Sequence, residues 1–171
     1  MLDGWLNSDN LALVNRHSAP ANYLTANKMN NNNIGSCFSS SFKLKFILEG
    51  VLDELQWAQI KYGNFLSLPE NSVIKNELNN LVGEIQDFDV DYEDSHDLID
   101  KAFNFFSNHC AKPYCYFGAH TGNTSDFGFW PDMEQINDLP FTSGDGDYKE
   151  VNDHGNITIF SFDGKVILEI V

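Results

Sequence analysis

The stretch Ile157–Ile170, "ITIFSFDGKVILEI", decides how the chain is to be read. Apolar residues alternate on both sides of Asp163-Gly164, a dipeptide favoured in two-residue type I′ hairpin turns. With those two residues as the turn, Phe162 pairs with Lys165. Ile157, Ile159, Ser161, Val166, Leu168 and Ile170 then share one face, and Thr158, Phe160, Phe162, Lys165, Ile167 and Glu169 take the other. A mostly apolar face opposite a mixed one implies an antiparallel sheet covered on one side.

Working back from this hairpin, "YKEVNDHGN" at 148–156 predicts another short strand and a turn at His154-Gly155. Further upstream, the aromatic runs "YCYFGAH" and "DFGFW" are separated by "TGNTS", which is again hairpin grammar. Gly122 and Asn123 are the expected turn, Phe127 and Phe129 share a face, and Pro131 ends the strand.

Before Pro113 the period is helical. Leu44, Leu48, Val51, Leu55, Ala58 and Tyr62 recur at alternating four and three, after hydroxyls at Ser39–Ser41 that can cap the helix. Gly50 in mid-helix costs about 1 kcal/mol relative to Ala, which close packing would explain. Gly63 is the expected stop. Pro69 opens a second helix with Ile74, Leu78, Leu81 and Ile85 on its buried stripe. Ser95 caps a third, in which Ile99, Ala102, Phe103, Phe106 and Cys110 share a face. Helices first and an antiparallel meander after them give an α+β fold, with about three amphipathic helices on one face of a C-terminal sheet of hairpins. Residues 1–38, with four asparagines at 30–33, are expected to form an irregular arm, and residues 39–171 a single domain.

The chain has 171 residues, 42% of them hydrophobic, which suffices for one core. No apolar run approaches the roughly 20 residues that cross a bilayer, so no membrane partner is expected. The opening "MLDGWLNSDN" lacks a basic start and an apolar core, so no signal peptide is expected. Cys37, Cys110 and Cys115 are an odd set, consistent with reduced thiols and a cytoplasmic location. Twenty-five acids face ten bases, for a formal net charge of −15. Such a chain repels nucleic acid and attracts basic surfaces, although acidity also serves solubility.

Candidate chemistry is sparse. His109, Cys110, Cys115 and His120 are close in sequence, but the spacing H-C-x4-C-x4-H matches no zinc signature, and Cys110 already has a helical core position. The glycines and acids of "SGDGD" at 143–147 lack the lysine of a phosphate loop and the closing glutamate of a calcium loop. No metal site, cofactor or catalytic residue is therefore assigned. His120, Asp126 and His154, with Ser125 as a nucleophile, remain the alternative for a small hydrolase or metal-dependent enzyme, without a Gly-x-Ser-x-Gly elbow to support it.

The acids themselves cluster. Glu84, Asp87, Asp89, Asp91, Glu93, Asp94, Asp97 and Asp100 form one group. Asp132, Glu134, Asp138, Asp145, Asp147, Glu150 and Asp153 form a second, with Lys149 its sole base. In an extended "DFDVDYED", Asp87, Asp89 and Asp91 project to one side about 6.5–7 Å apart. Duplex phosphates have comparable spacing, so the row is a candidate mimic of nucleic-acid charge. The alternative is a solvated connector leading into a helix N-terminus, where acids are favoured.

Three segments carry a resemblance: "VLDELQWAQIKYGNF" at 51–65, "YFGAHTGNTSDFGFWPD" at 116–132 followed by "LPF", and "VNDHGNITIFSFDGKVILEIV" at 151–171. Together, over roughly residues 50–171, they resemble small acidic proteins encoded by bacteriophages and prophages, a family without an established activity. The resemblance implies action in the host cytoplasm, on host machinery or on a restriction- or CRISPR-like defence protein. It makes a non-enzymatic inhibitor the expected function, with a basic, nucleic-acid-binding protein as partner. The expected partner-binding residues are Asp87, Asp89, Asp91, Glu93, Asp94, Asp97, Asp100, Asp132, Glu134, Asp145 and Asp147. Trp130 is either an anchor at that interface or a residue that closes the hairpin core. A structural or regulatory phage protein remains the other alternative.

Overall fold

The computed structural model describes Met29 and residues 34–41, 43–88 and 95–171. In chain order the elements are β1 (Gly35–Ser39), α1 (Leu44–Lys61), α2 (Gly63–Leu66), a 3₁₀ turn (Pro69–Asn71), α3 (Ser72–Gln86), α4 (Ser95–His109), β2 (Cys115–His120), β3 (Asn123–Pro131), α5 (Met133–Asn137), β4 (Tyr148–Val151), β5 (Ile157–Phe160) and β6 (Val166–Ile170). The class is α+β. The strands form two antiparallel three-stranded sheets, ordered β1-β3-β2 and β4-β5-β6.

The helical stripes fall where the periodicity puts them. Leu48, Val51, Leu55 and Ala58 are buried on α1, Leu78, Leu81 and Ile85 on α3, and Ile99, Ala102, Phe103 and Phe106 on α4. Cys110 is buried in the same core. The cap of α1 is Lys43, without a side-chain hydrogen bond, rather than one of the serines at 39–41. Helices α1 and α4 lie against the first sheet and α3 packs on both of them; in that sheet Phe117 and Phe129 meet edge to face at 4.9 Å between ring centres. Phe106 stands 4.5 Å from Phe117.

The stretch 1–38 does not remain irregular to its end. Gly35–Ser39 pairs antiparallel with β3, and Met29 is buried in the helical core. Two glycines make this edge possible. A Cβ on Gly128 would stand 2.1 Å from the Gly35 carbonyl oxygen, so only glycine lets β1 approach β3 there. A Cβ on Gly50 would stand 2.5 Å from the Phe38 ring, so the mid-helix glycine seats that ring, which also stacks on Phe127 at 5.1 Å. Cys37 is the extra residue where the β1 register shifts between Ser36 and Phe38. The turn joining β2 and β3 is Thr121-Gly122, and Asn123 already belongs to β3.

The second sheet is a separate layer, not an extension of the sheet under the helices. Its own core is small: Ile136, Ile159 and Leu168, with Tyr114, Cys115, Leu139, Ile157, Ile167 and Ile170 packed around them. The Asp163-Gly164 turn is not type I′, because Asp163 is absent from the residues with positive φ. Gly164 has φ +81°, its N–H donates to the Ser161 carbonyl, and the Ser161 N–H donates to the Lys165 carbonyl. That is a three-residue loop, Phe162–Gly164, closed by a left-handed glycine. Asn152–Asn156 repeats it with Gly155 at φ +85°. The Ile157↔Ile170, Thr158↔Glu169 and Ile159↔Leu168 pairs follow the expected register, but a shift after Ile159 pairs Phe160 with Val166. The bulge turns Val166 from the apolar face, where alternation puts it, to the outer face, and it is 54% exposed.

Tyr114 ties the two layers together. It has φ +62°, a left-handed conformation that costs a tyrosine on the order of 1 kcal/mol. Its backbone carbonyl accepts from the Asp132 N–H at 2.8 Å, and its hydroxyl donates to Asp147 at 2.7 Å. Among the described residues no helix is long and apolar enough to cross a membrane.

Candidate functional site

Of the carboxylates expected to meet a partner, Asp89, Asp91, Glu93 and Asp94 lie outside the described residues. Asp87 is not extended. It is the C-terminal cap of α3, in a right-handed helical conformation, so the row beginning there does not start as a strand. It is also exposed at the end of a helix whose last turn holds no basic residue. The negative end of the macrodipole disfavours a carboxylate there, so helix stability does not explain Asp87. Asp97, exposed in the first turn of α4, is where the dipole does favour an acid. Asp100 is partly covered, and burial pushes its carboxyl above the ordinary carboxylate range, with His96 opposing the shift.

In the second acidic group the roles divide. Asp132 caps α5, accepting from the N–H groups of Glu134 and Gln135 and from the Gln135 side chain. Asp147 accepts the Tyr114 hydroxyl. Both therefore hold structure while remaining partly open to solvent. Glu134, Asp138, Asp145, Glu150 and Asp153 are exposed.

Lys149, the base among them, is not a surface cation. It is 5% exposed, and its ammonium donates to the Ile136 carbonyl at 2.9 Å and the Asn137 carbonyl at 2.7 Å, satisfying the end of α5. The Phe141 ring lies 4.9 Å from that ammonium. The only signal for this in the sequence is strand parity: in a strand with Tyr148 outward, Lys149 points inward.

The residues of the enzymatic alternative have separate surroundings. His120 packs edge-on against Trp130 at 4.5 Å, and its Nδ1 accepts the Gly122 N–H at 3.1 Å. Asp126 accepts the hydroxyls of Ser36 and Ser39 from β1. His154 is exposed in the loop between β4 and β5, 3.6 Å from Asp153. Trp130 is half-buried, and its indole N–H donates across the hairpin to the Gly118 carbonyl at 2.9 Å. Among the described residues no three His, Cys, Asp or Glu side chains are grouped to hold a metal ion.

A shallow hollow of about 10 Å³ lies between α1, α4 and β3, lined by Glu54, Trp57, Ala58, Tyr62, Phe106, Cys110 and Phe129. It is smaller than the roughly 300–1,000 Å³ of small-molecule clefts. The Tyr62 hydroxyl is buried without a hydrogen-bond partner among the described residues, and burial pushes it up to about 12. The larger feature is the acidic exterior, which can attract and orient cationic groups.

In comparisons with known proteins, no family model, no curated protein and no solved structure matches this chain.

Proposed function

We propose that this chain is a phage-type acidic protein that binds and inhibits a basic, nucleic-acid-binding protein of its host cytoplasm, such as a restriction- or CRISPR-like defence protein. It acts without catalysis, by offering carboxylates where the target expects phosphates. The observation that carries this reading is the engagement of the lysines among the acids. Lys149 is buried under α5, Lys101 is paired with Glu84 at 2.8 Å, and Lys165 is paired with Asp163 at 2.7 Å. Of the carboxylates expected to meet a partner, Asp87, Asp97 and Asp145 are exposed and meet an incoming cationic surface with few neighbouring cations of their own. The resemblance to phage proteins supplies the cellular setting.

Affinity capture from bacterial lysate, at about 50 mM and about 500 mM salt, tests it. The expected catch is a nucleic-acid-binding protein held at low salt and released at high salt. A variant with Asp87, Asp89 and Asp91 changed to asparagine should lose it. Capture unaffected by salt and by those substitutions would sink the reading, and an empty capture would favour a structural or regulatory phage protein.

A further inference from the structure

The register of the second sheet separates its side chains into rows. Residues paired across strands share a face, so Lys149–Ile159–Leu168 and Ile157–Ile170 point to the small core, while Val151 at the end of the second row is 46% exposed. The opposite face carries Tyr148–Phe160–Val166 in one row and Glu150–Thr158–Glu169 in the next. The Tyr148 and Phe160 rings stack at 5.2 Å with planes 16° apart. Val166 is 54% exposed, and Phe162, in the loop beyond this row, is 68% exposed. Glu150 and Glu169 are both exposed. The face is thus an aromatic-aliphatic row beside an acidic row, with no helix of the described residues packed over it.

From this we infer that the outer face of the second sheet is a further docking surface for the protein partner, beside the carboxylates named above, and that it takes an extended segment in which an apolar residue is followed two positions later by arginine or lysine. The inference rests on the basic-partner reading above and adds a contact on this face. Same-face positions along a strand are about 6.5–7 Å apart, and an extended peptide places residues i and i+2 at the same separation. A segment aligned with the strands sets its apolar side chain on Tyr148, Phe160 and Val166. Its cation then falls between Glu150 and Glu169. Arginine suits the site doubly, because its guanidinium stacks on aromatic faces and pairs with carboxylates.

Charge selects the occupant. Residues 131–171 hold nine acids and two lysines, with Lys149 buried and Lys165 tied to Asp163. A second copy of the chain, at a formal −15, meets repulsion at this face. Residues 1–28 hold one apolar-x-Arg step, Val14-Asn15-Arg16, but their two acids balance their two bases, so the segment has no net positive charge to draw it to this face.

The test titrates the isotope-labelled full chain with a synthetic peptide of repeated Val-Ser-Arg-Ser, with Val-Ser-Glu-Ser as control, followed by NMR. The Arg peptide should shift Tyr148, Thr158, Phe160, Val166 and Glu169, and the Glu peptide should not. Val166→Ser, at an exposed position, should weaken binding about threefold to tenfold, and Glu150→Gln with Glu169→Gln about tenfold. An unchanged spectrum of the free variants shows that the sheet stays folded. Shifts confined to Asp97, Asp100 and Asp132, indifferent to Val166→Ser, overturn the inference and leave the basic-partner reading standing. No shift with either peptide also overturns it, while the lysate capture judges the broader reading. Concentration-dependent shifts on this face without peptide identify a second copy as the occupant. Nuclear Overhauser contacts to residues 1–28 identify the chain's own N-terminal segment. Either result overturns it.

Discussion

The two sheets have the same number of antiparallel strands but are held by different means. The first is fastened by rings: Phe103, Phe106, Phe117, Phe127 and Phe129 interlock between strands and helices, and glycines at 50 and 128 let the layers close. The second has three fully buried apolar side chains and relies on polar fasteners. These are two glycine-closed loops, the Asp132 cap on α5 and the Lys149 ammonium beneath it. The first sheet therefore gains stability mainly from apolar area, and the second from satisfying backbone groups. A sheet organised in the second way needs no cover on its far side and leaves that face to solvent.

The comparison can be broken at its strongest point first. Phe127→Ala removes a ring 1% exposed and stacked on Phe38, and should lower the unfolding free energy by about 3–5 kcal/mol in urea denaturation. A loss below about 1 kcal/mol would mean that the rings do not carry the first sheet. Lys149→Met keeps the aliphatic stem and removes the donor to two carbonyls, at an expected cost of about 1–3 kcal/mol. Hydrogen exchange should quicken in β4–β6 and stay slow in β2 and β3. Equal quickening in both sheets would show one cooperative unit rather than two differently held layers.

The thiols give the smallest and most local test. Burial pushes Cys37 up to about 12 and Cys115 up to about 11, with Glu54 adding to the Cys37 shift. Both should stay protonated at pH 8 and alkylate on the order of 100-fold more slowly than an unhindered thiol. Cys115, whose thiol is raised less, should react ahead of Cys37 although it packs against both cores. Unfolded thiols ionise from about pH 8.5 while these folded ones hold their protons. Their contribution to stability is thus complete below that pH and is lost as pH rises toward 11 to 12. Mass spectrometry after iodoacetamide treatment reads the rates, and a Cys37 as reactive as glutathione would place it outside the first core.

The same contrast explains what the sequence discloses. The helices of the first layer are legible because Leu48, Val51, Leu55 and Ala58 repeat with a period that sterics impose. Cys110 is legible as core for the same reason, and so is the service of Gly50 to close packing. The strand Gly35–Ser39 is not, because "GSCFS" has no alternation and exists through pairing with a strand some ninety residues away. The last hairpin is half legible. Its outer three pairs follow from alternation, but a left-handed Gly164 with an ordinary Asp163 inserts one more loop residue and reverses Val166. Of the candidate site, the acidity is read directly from composition. Whether a given carboxylate is free or employed is not, since Asp132 and Asp147 look like Asp145 until Tyr114 and α5 are in place. No local pattern separates His120, Asp126 and His154 into three unrelated environments.

Taking Lys149 inside the fold has a consequence for the water around it. The second layer keeps its carboxylates outside and hides one of its two cations, so its exterior gathers mobile sodium and potassium ions to balance the field. Those ions are confined near the surface as long as nothing else neutralises it. When a cationic surface takes their place they return to bulk solution, and the freedom they regain favours association. The buried lysine thus helps to keep an ionic atmosphere in place that a basic visitor can displace.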